Sequence, residues 1–154
     1  ISNRIDFRNS GTDPSSSPAN VEPVYVAETV NQGATDACKY ITQPVKLATA
    51  ADSLHVWLTC MIPYGSLVSV YYKILPTNTN ATFTSQPYVL IHPDPNTDFS
   101  PAQSPTDFRD YYWQTDTLGT LPQFTQFAIK VVLQSTNSSQ VPQCQQFRCI
   151  SLEE

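Results

Sequence analysis

From Ser53 to Leu75 the chain alternates polar and apolar residues with a period of two, and this constrains its fold more than any other feature. Leu54, Val56, Leu58 and Cys60 interleave with Ser53, His55, Trp57 and Thr59; Val68, Val70, Tyr72 and Ile74 interleave with Ser69, Tyr71 and Lys73. That spacing puts one set on one face of a pleated strand, whereas a helix would scatter it around the cylinder. The residues are β-branched and aromatic, which suits strands. Pro63 ends the first run and Gly65 supplies a turn, so the chain doubles back there. With Ile41 to Leu47 in front, Tyr40 to Leu75 reads as three consecutive strands. Pro44 cannot donate to a ladder and sets the first of them at an edge or on a bulge. Ala48 to Asp52 reads as the connection into the second. Leu54, Val56, Leu58, Val68, Val70 and Ile74 are the expected core.

Further strand patterns occur at Val24–Ala27, Tyr88–Ile91, Tyr111–Thr115, Phe124–Ser135 and Gln146–Leu152. In the longest, Phe127, Ile129, Val131 and Leu133 form an apolar face, and Val132 on the other face makes the strand central, covered on both sides. About eight short strands, 13 prolines and only 4 glycines in 154 residues describe an all-β protein. The expected fold is an antiparallel β-sandwich, jelly-roll-like, over residues 21–154 with long Pro-rich loops at 76–87 and 92–110. Residues 1–20 are polar, include a Ser15-Ser-Ser-Pro18 run, and bury too little to offset their ordering entropy; they read as an arm or linker. Because the chain opens on Ile1 rather than Met, it reads as processed or as a piece of a longer polypeptide.

Eight scattered Lys and Arg against thirteen Asp and Glu leave a net charge of −5. Nucleic acid and anionic membrane are therefore not expected partners, since both need clustered positive charge. No apolar run approaches the roughly 20 residues of a membrane-spanning helix. Catalytic chemistry has little to work with: His55 lies mid-strand, His92 lies in the proline loop, and neither sits in a nucleophile, phosphate-loop or zinc motif. No cofactor is expected. Asp94, Asn96 and Asp98 imitate the opening of a calcium loop, but Phe99 stands where glycine is needed and Pro105 where a closing Glu belongs. Asn80 and Asn137 head formal glycosylation triplets that chance accounts for in so Ser- and Thr-rich a chain.

Cys38, Cys60, Cys144 and Cys149 allow two disulfides in three connectivities, or buried thiols, and lack the paired spacing of a zinc ribbon. Trp57, Tyr111, Tyr112 and Trp113 are the interface or ligand candidates, because flat rings serve both protein interfaces and sugar stacking.

Two blocks together resemble a module of tailed-bacteriophage structural proteins. The first is Tyr40-Ile-Thr-Gln-Pro-Val-Lys-Leu47, Asp52-Ser-Leu-His-Val-Trp-Leu-Thr59, Pro63-Tyr-Gly65 and Val70-Tyr-Tyr-Lys-Ile-Leu75. The second is Phe124-Thr-Gln-Phe-Ala-Ile-Lys-Val-Val-Leu133, Val141-Pro142 and Phe147-Arg-Cys-Ile-Ser-Leu152. The resemblance spans about residues 37–154. Ile62 replaces the usual basic residue before the turn, Gln146 replaces an acidic one, and the four cysteines are outside the pattern.

The resemblance implies a non-enzymatic virion component of the tail, baseplate or neck whose partners are other virion proteins and copies of itself. Strand edges, the two long loops and an arm that orders on binding would make the contacts, with Cys38 and Cys144 as covalent staples. Lys130 and Arg148 are expected to be structural, Arg148 paired with a carboxylate or carbonyl. The alternative is a carbohydrate- or host-receptor-binding module. Three exposed coplanar rings among Trp57, Tyr112 and Trp113 would favour it, and their burial between sheets would favour the scaffold.

Overall fold

The computed structural model describes residues 27–31, 34, 38–115, 121–137 and 139–153. The expected arm at 1–20 and most of the strand expected at 24–27 lie outside them. Among the described residues eight strands follow in order: β1 (Lys39–Ile41), β2 (Val45–Ala51), β3 (Ser53–Met61), β4 (Ser66–Pro76), β5 (Val89–Ile91), β6 (Arg109–Gln114), β7 (Phe124–Ser135) and β8 (Gln143–Leu152). They form an antiparallel β-sandwich. In one sheet β7 is central, with β1 and β2 in succession along one side and β4 then β5 on the other; the second sheet runs β6-β3-β8.

The period-two reading of β3 and β4 holds side chain by side chain. Leu54, Val56, Leu58, Val68, Val70 and Ile74 are all buried, and Trp113, Tyr111, Phe124 and Ile129 fill the space between the sheets with them. Each such side chain contributes roughly 1.5–3 kcal/mol by leaving water. Val132 is buried on the opposite face of β7, as a central strand requires.

Two local expectations change. The turn after β3 does not make a hairpin. β3 pairs with β6 and β8, while β4 pairs with β7 and β5, so residues 62–65 carry the chain from one sheet to the other. Gly65 makes the turn at φ +74°, and its carbonyl accepts from both the amide and the hydroxyl of Thr136 at 3.0 Å. Second, Ala48 to Ala51 continues β2 and leaves Asp52 alone as the connection. Alanine is depleted in strands, so the local pattern hid this extension; the pairing of Ala51 with Phe124 holds it. Pro44 acts as expected: the edge breaks at residues 42–44, and Thr42 bridges the gap, its hydroxyl accepting the Ile129 amide at 3.0 Å.

The outer face of the β7 sheet carries two buried lysines beneath residues 27–31 and 34. Lys130, 0% exposed, reaches the Glu28 carboxylate at 2.8 Å and also the Glu28 carbonyl. Lys73 donates to the Asn31 carbonyl and Lys39 to that of Ala34, both at 2.8 Å. Between Lys73 and Lys130 lies the ring of Tyr88, 4.5 and 4.4 Å from the two ammonium groups. Burial first, and then the Lys130 charge, lowers the Lys73 pKa; burial raises that of Tyr88. These contacts pin the entering segment onto the sheet and occupy its outer face.

Candidate functional site

The other sheet presents its outer face to solvent. Strand register sets Trp57 on β3 directly opposite Tyr112 on β6 and Arg148 on β8. Because β6 and β8 flank β3, the indole is covered from both sides: the Tyr112 ring stacks 4.9 Å away at 20°, and the Arg148 guanidinium lies 4.6 Å from the ring centroid. Such a stack holds three strands in register through aromatic and cation–π attraction. Arg148 thus takes an aromatic face where a carboxylate or carbonyl was expected.

A polar relay extends the stack. His55 Nδ1 hydrogen-bonds the Tyr112 hydroxyl, which donates to Gln114 Oε1 at 2.9 Å; Gln114 Nε2 in turn donates to Asp94 Oδ2 at 2.9 Å. His55 is thereby tied to the proline loop through β6. Thr59 donates to Asp110 at 2.6 Å. Trp57, Thr59, Asp110, Gln146 and Arg148 line a shallow, mostly polar depression of about 500 Å³.

Alternation within β6 sends the four aromatic candidates in two directions. Tyr112 and Trp57 sit on the outer face, half-buried against each other. Tyr111 and Trp113 point inward, at 0% and 1% exposure, and pack against Phe99. They are core residues and cannot meet a ligand or partner, which corrects the expectation for that pair. No plane of three exposed rings exists among Trp57, Tyr112 and Trp113.

The calcium-like triplet is not assembled either. Asp94 Oδ1 accepts the Asn96 amide at 2.8 Å, and Asp98 accepts both the amide and the hydroxyl of Ser100. These are local turn bonds. Among the described residues no three His, Cys, Asp or Glu side chains gather as a metal-ligand group. Arg109 anchors the same loop, donating to both Asp107 carboxylate oxygens and to Ser100. Its guanidinium, with the Gln103 amide, holds the Asp107 carboxyl below the usual carboxylate range.

Sheet edges are the remaining surface. The proline loop begins along β6, where Pro93 bridges to Trp113 and Asp94 N donates to Tyr112 O. β5 is three residues long, and the β1/β2 edge is broken at residues 42–44. β8 differs: ten residues with no proline and Arg148 as its one charge, paired among the described residues only with β3. Edge strands ordinarily carry lysines, prolines or a cover against further pairing. Phe147, Ile150 and Leu152 on β8 are 37–41% exposed.

Beside β8 the sandwich opens into a groove of about 310 Å³ between the sheets, lined by Cys38, Tyr40, Leu58, Leu133, Cys144 and Phe147. Tyr40 and Phe147 meet edge-to-face across it at 5.9 Å.

All four cysteines are thiols. Cys149 is half-buried against the core, and burial pushes its thiol up to about 12. Cys38 and Cys144 line the groove. Cys60, wholly buried, is the strand partner of Cys144. Sequence reasoning did not identify the β8 edge as distinct, nor Lys73 and Glu28 as a buried set with Lys130; the available signal was the neutral, proline-free composition of residues 143–152.

Comparison with protein-family models, curated proteins and solved structures gives no match to this chain.

Proposed function

We propose that this domain is a non-enzymatic structural component of a tailed-phage virion, in the tail, baseplate or neck, that joins copies of itself and neighbouring virion proteins by strand addition at β8. The observation that carries the proposal is the β8 edge itself. It is long and nearly neutral, has apolar side chains on both faces, and borders the groove lined by Tyr40, Leu133 and Phe147. An incoming strand would satisfy the outward backbone groups of β8 and place alternate side chains into the groove, which is how strand addition combines affinity with specificity. The two sequence blocks that resemble the phage module support the virion setting, and β8 forms the end of the second.

Sedimentation velocity over a concentration series tests the mode of assembly. Ile150→Lys with Leu152→Lys places two charges on exposed edge positions and leaves the core untouched. The wild type is expected to associate and the double variant to stay monomeric with unchanged circular dichroism. Equal association of both would refute assembly through β8.

Carbohydrate recognition is the second reading, favoured by Trp57 beside Asp110 and Arg148 at the 500 Å³ depression. It ranks lower because both indole faces are covered, and a sugar would have to displace Arg148 to stack. Saturable binding on a glycan array that Trp57→Ala abolishes would reverse the order.

A further inference from the structure

Cys60 and Cys144 face each other across the β3–β8 ladder at the point where its register shifts. Between Thr59, opposite Gln146, and Cys60, opposite Cys144, β8 holds one extra residue, Gln145. Directly opposed residues of antiparallel strands have Cα atoms about 4.5–5.5 Å apart, inside the 4.4–6.8 Å range of disulfides. Each thiol perturbs the other: the Cys144 thiol and burial raise the Cys60 pKa, while the Cys60 thiol lowers that of Cys144. Their access to solvent differs sharply. Cys60 is wholly buried, whereas Cys144 is on an exposed edge residue and lines the groove.

We propose that Cys60 and Cys144 are a dithiol that closes to a disulfide by exchange with a low-molecular-weight disulfide of the glutathione class, Cys144 attacking and Cys60 resolving. The Cys144 thiolate attacks one sulfur of the small disulfide, forming a mixed disulfide and expelling one thiolate. The Cys60 thiol then attacks the Cys144 sulfur, its proton passing to the second small-molecule thiolate that it expels. The protein loses two electrons and two protons, and the small disulfide becomes two thiols. The product staples the edge strand β8 to the central strand β3 within one chain. It closes residues 60 to 144 into a loop, constraining the unfolded chain. A virion protein folds in a reducing host and persists outside it, so the staple would set after release. The dithiol stands on the β3–β8 register alone and survives if assembly through β8 is refuted.

The test incubates the reduced protein with oxidised glutathione and follows free thiols, intact mass and peptide mapping. Two of the four thiols should disappear, with the mass falling by two hydrogens and a Cys60–Cys144 cross-linked peptide appearing. The melting temperature should rise by about 10 °C. Cys60→Ala should instead hold a stable glutathionyl group on Cys144. Cys144→Ser, at an exposed position that leaves the core intact, should slow thiol loss at least about tenfold, because the accessible attacking thiol is gone. A Cys38–Cys144 cross-link, a mixed disulfide that persists on the wild type, or unchanged thiol loss in Cys144→Ser would each overturn the proposal.

Discussion

Replacing Glu28 by Gln removes the carboxylate from a lysine that has no access to water. Lys130 is 0% exposed, and its ammonium lies 2.8 Å from Glu28 Oε2. At that separation, with an effective dielectric constant near 20, the direct attraction is about 6 kcal/mol before desolvation is set against it. Removing one member of a buried pair costs about 3–5 kcal/mol, because the attraction is lost while the other charge stays buried. Lys130 would keep the Glu28 carbonyl and the faces of Tyr71 and Tyr88, so the lower end, about 3 kcal/mol, is expected.

Urea unfolding at pH 7 measures this loss as a fall in midpoint of about 1.5 M, for a slope near 2 kcal/mol per M. Glu28→Gln combined with Lys130→Met should recover much of the loss, since the buried ammonium is removed as well. Sodium chloride should change the single-variant loss little, a buried pair being weakly screened. A Glu28→Gln variant within about 0.5 kcal/mol of wild type, or two substitutions whose losses simply add, would refute the pinning of the Glu28 segment by this pair.

Above pH 9 the Cys149 thiol opposes folding. Its folded pKa of about 12 lies above the ordinary 9.0, so the unfolded chain releases the proton first. The stability it contributes is complete below pH 9 and falls by about 1.4 kcal/mol per pH unit as pH rises towards 12. Cys149→Val should grow more stable relative to wild type across that window in urea melts, and parallel curves would contradict it. Gly65→Ala should cost about 2 kcal/mol: φ is +74°, and the new Cβ would stand 2.7 Å from Thr136 Oγ1. Adding Thr136→Ala should return only the steric part, as thermal melts of the pair would show. The Tyr111 hydroxyl is buried with no hydrogen-bond partner among the described residues, so Tyr111→Phe should be neutral or stabilise by about 1 kcal/mol. A loss above about 1 kcal/mol by calorimetry would reveal a partner for it.

The strands and their inward faces were legible because a period of two needs no tertiary information. Leu54, Val56 and Val70 could be placed in the core by counting. What local pattern does not contain is pairing. Pro63 and Gly65 look like a hairpin turn, and only the match of β4 with β7, some sixty residues on, shows that they join two sheets instead. The run Tyr111-Tyr-Trp113 names two faces without saying which is inside; the register of β6 on β3 decides that. Lys130 could be expected to be structural, but its partner could not be named, because Glu28 lies in a segment with no periodicity to announce that it packs on the sheet. The Cys60–Cys144 opposition depends on a one-residue register shift of β8 on β3, so spacing alone could not single this pair out of the three open connectivities.

Locating this chain by electron cryo-microscopy in the assembled particle tests the central claim most directly. The account predicts density for the domain in the tail, baseplate or neck, with a strand from a neighbouring subunit paired along Gln143–Leu152 and side chains filling the groove beside Phe147. A domain placed there with β8 facing solvent, or one not built into a particle at all, would contradict it.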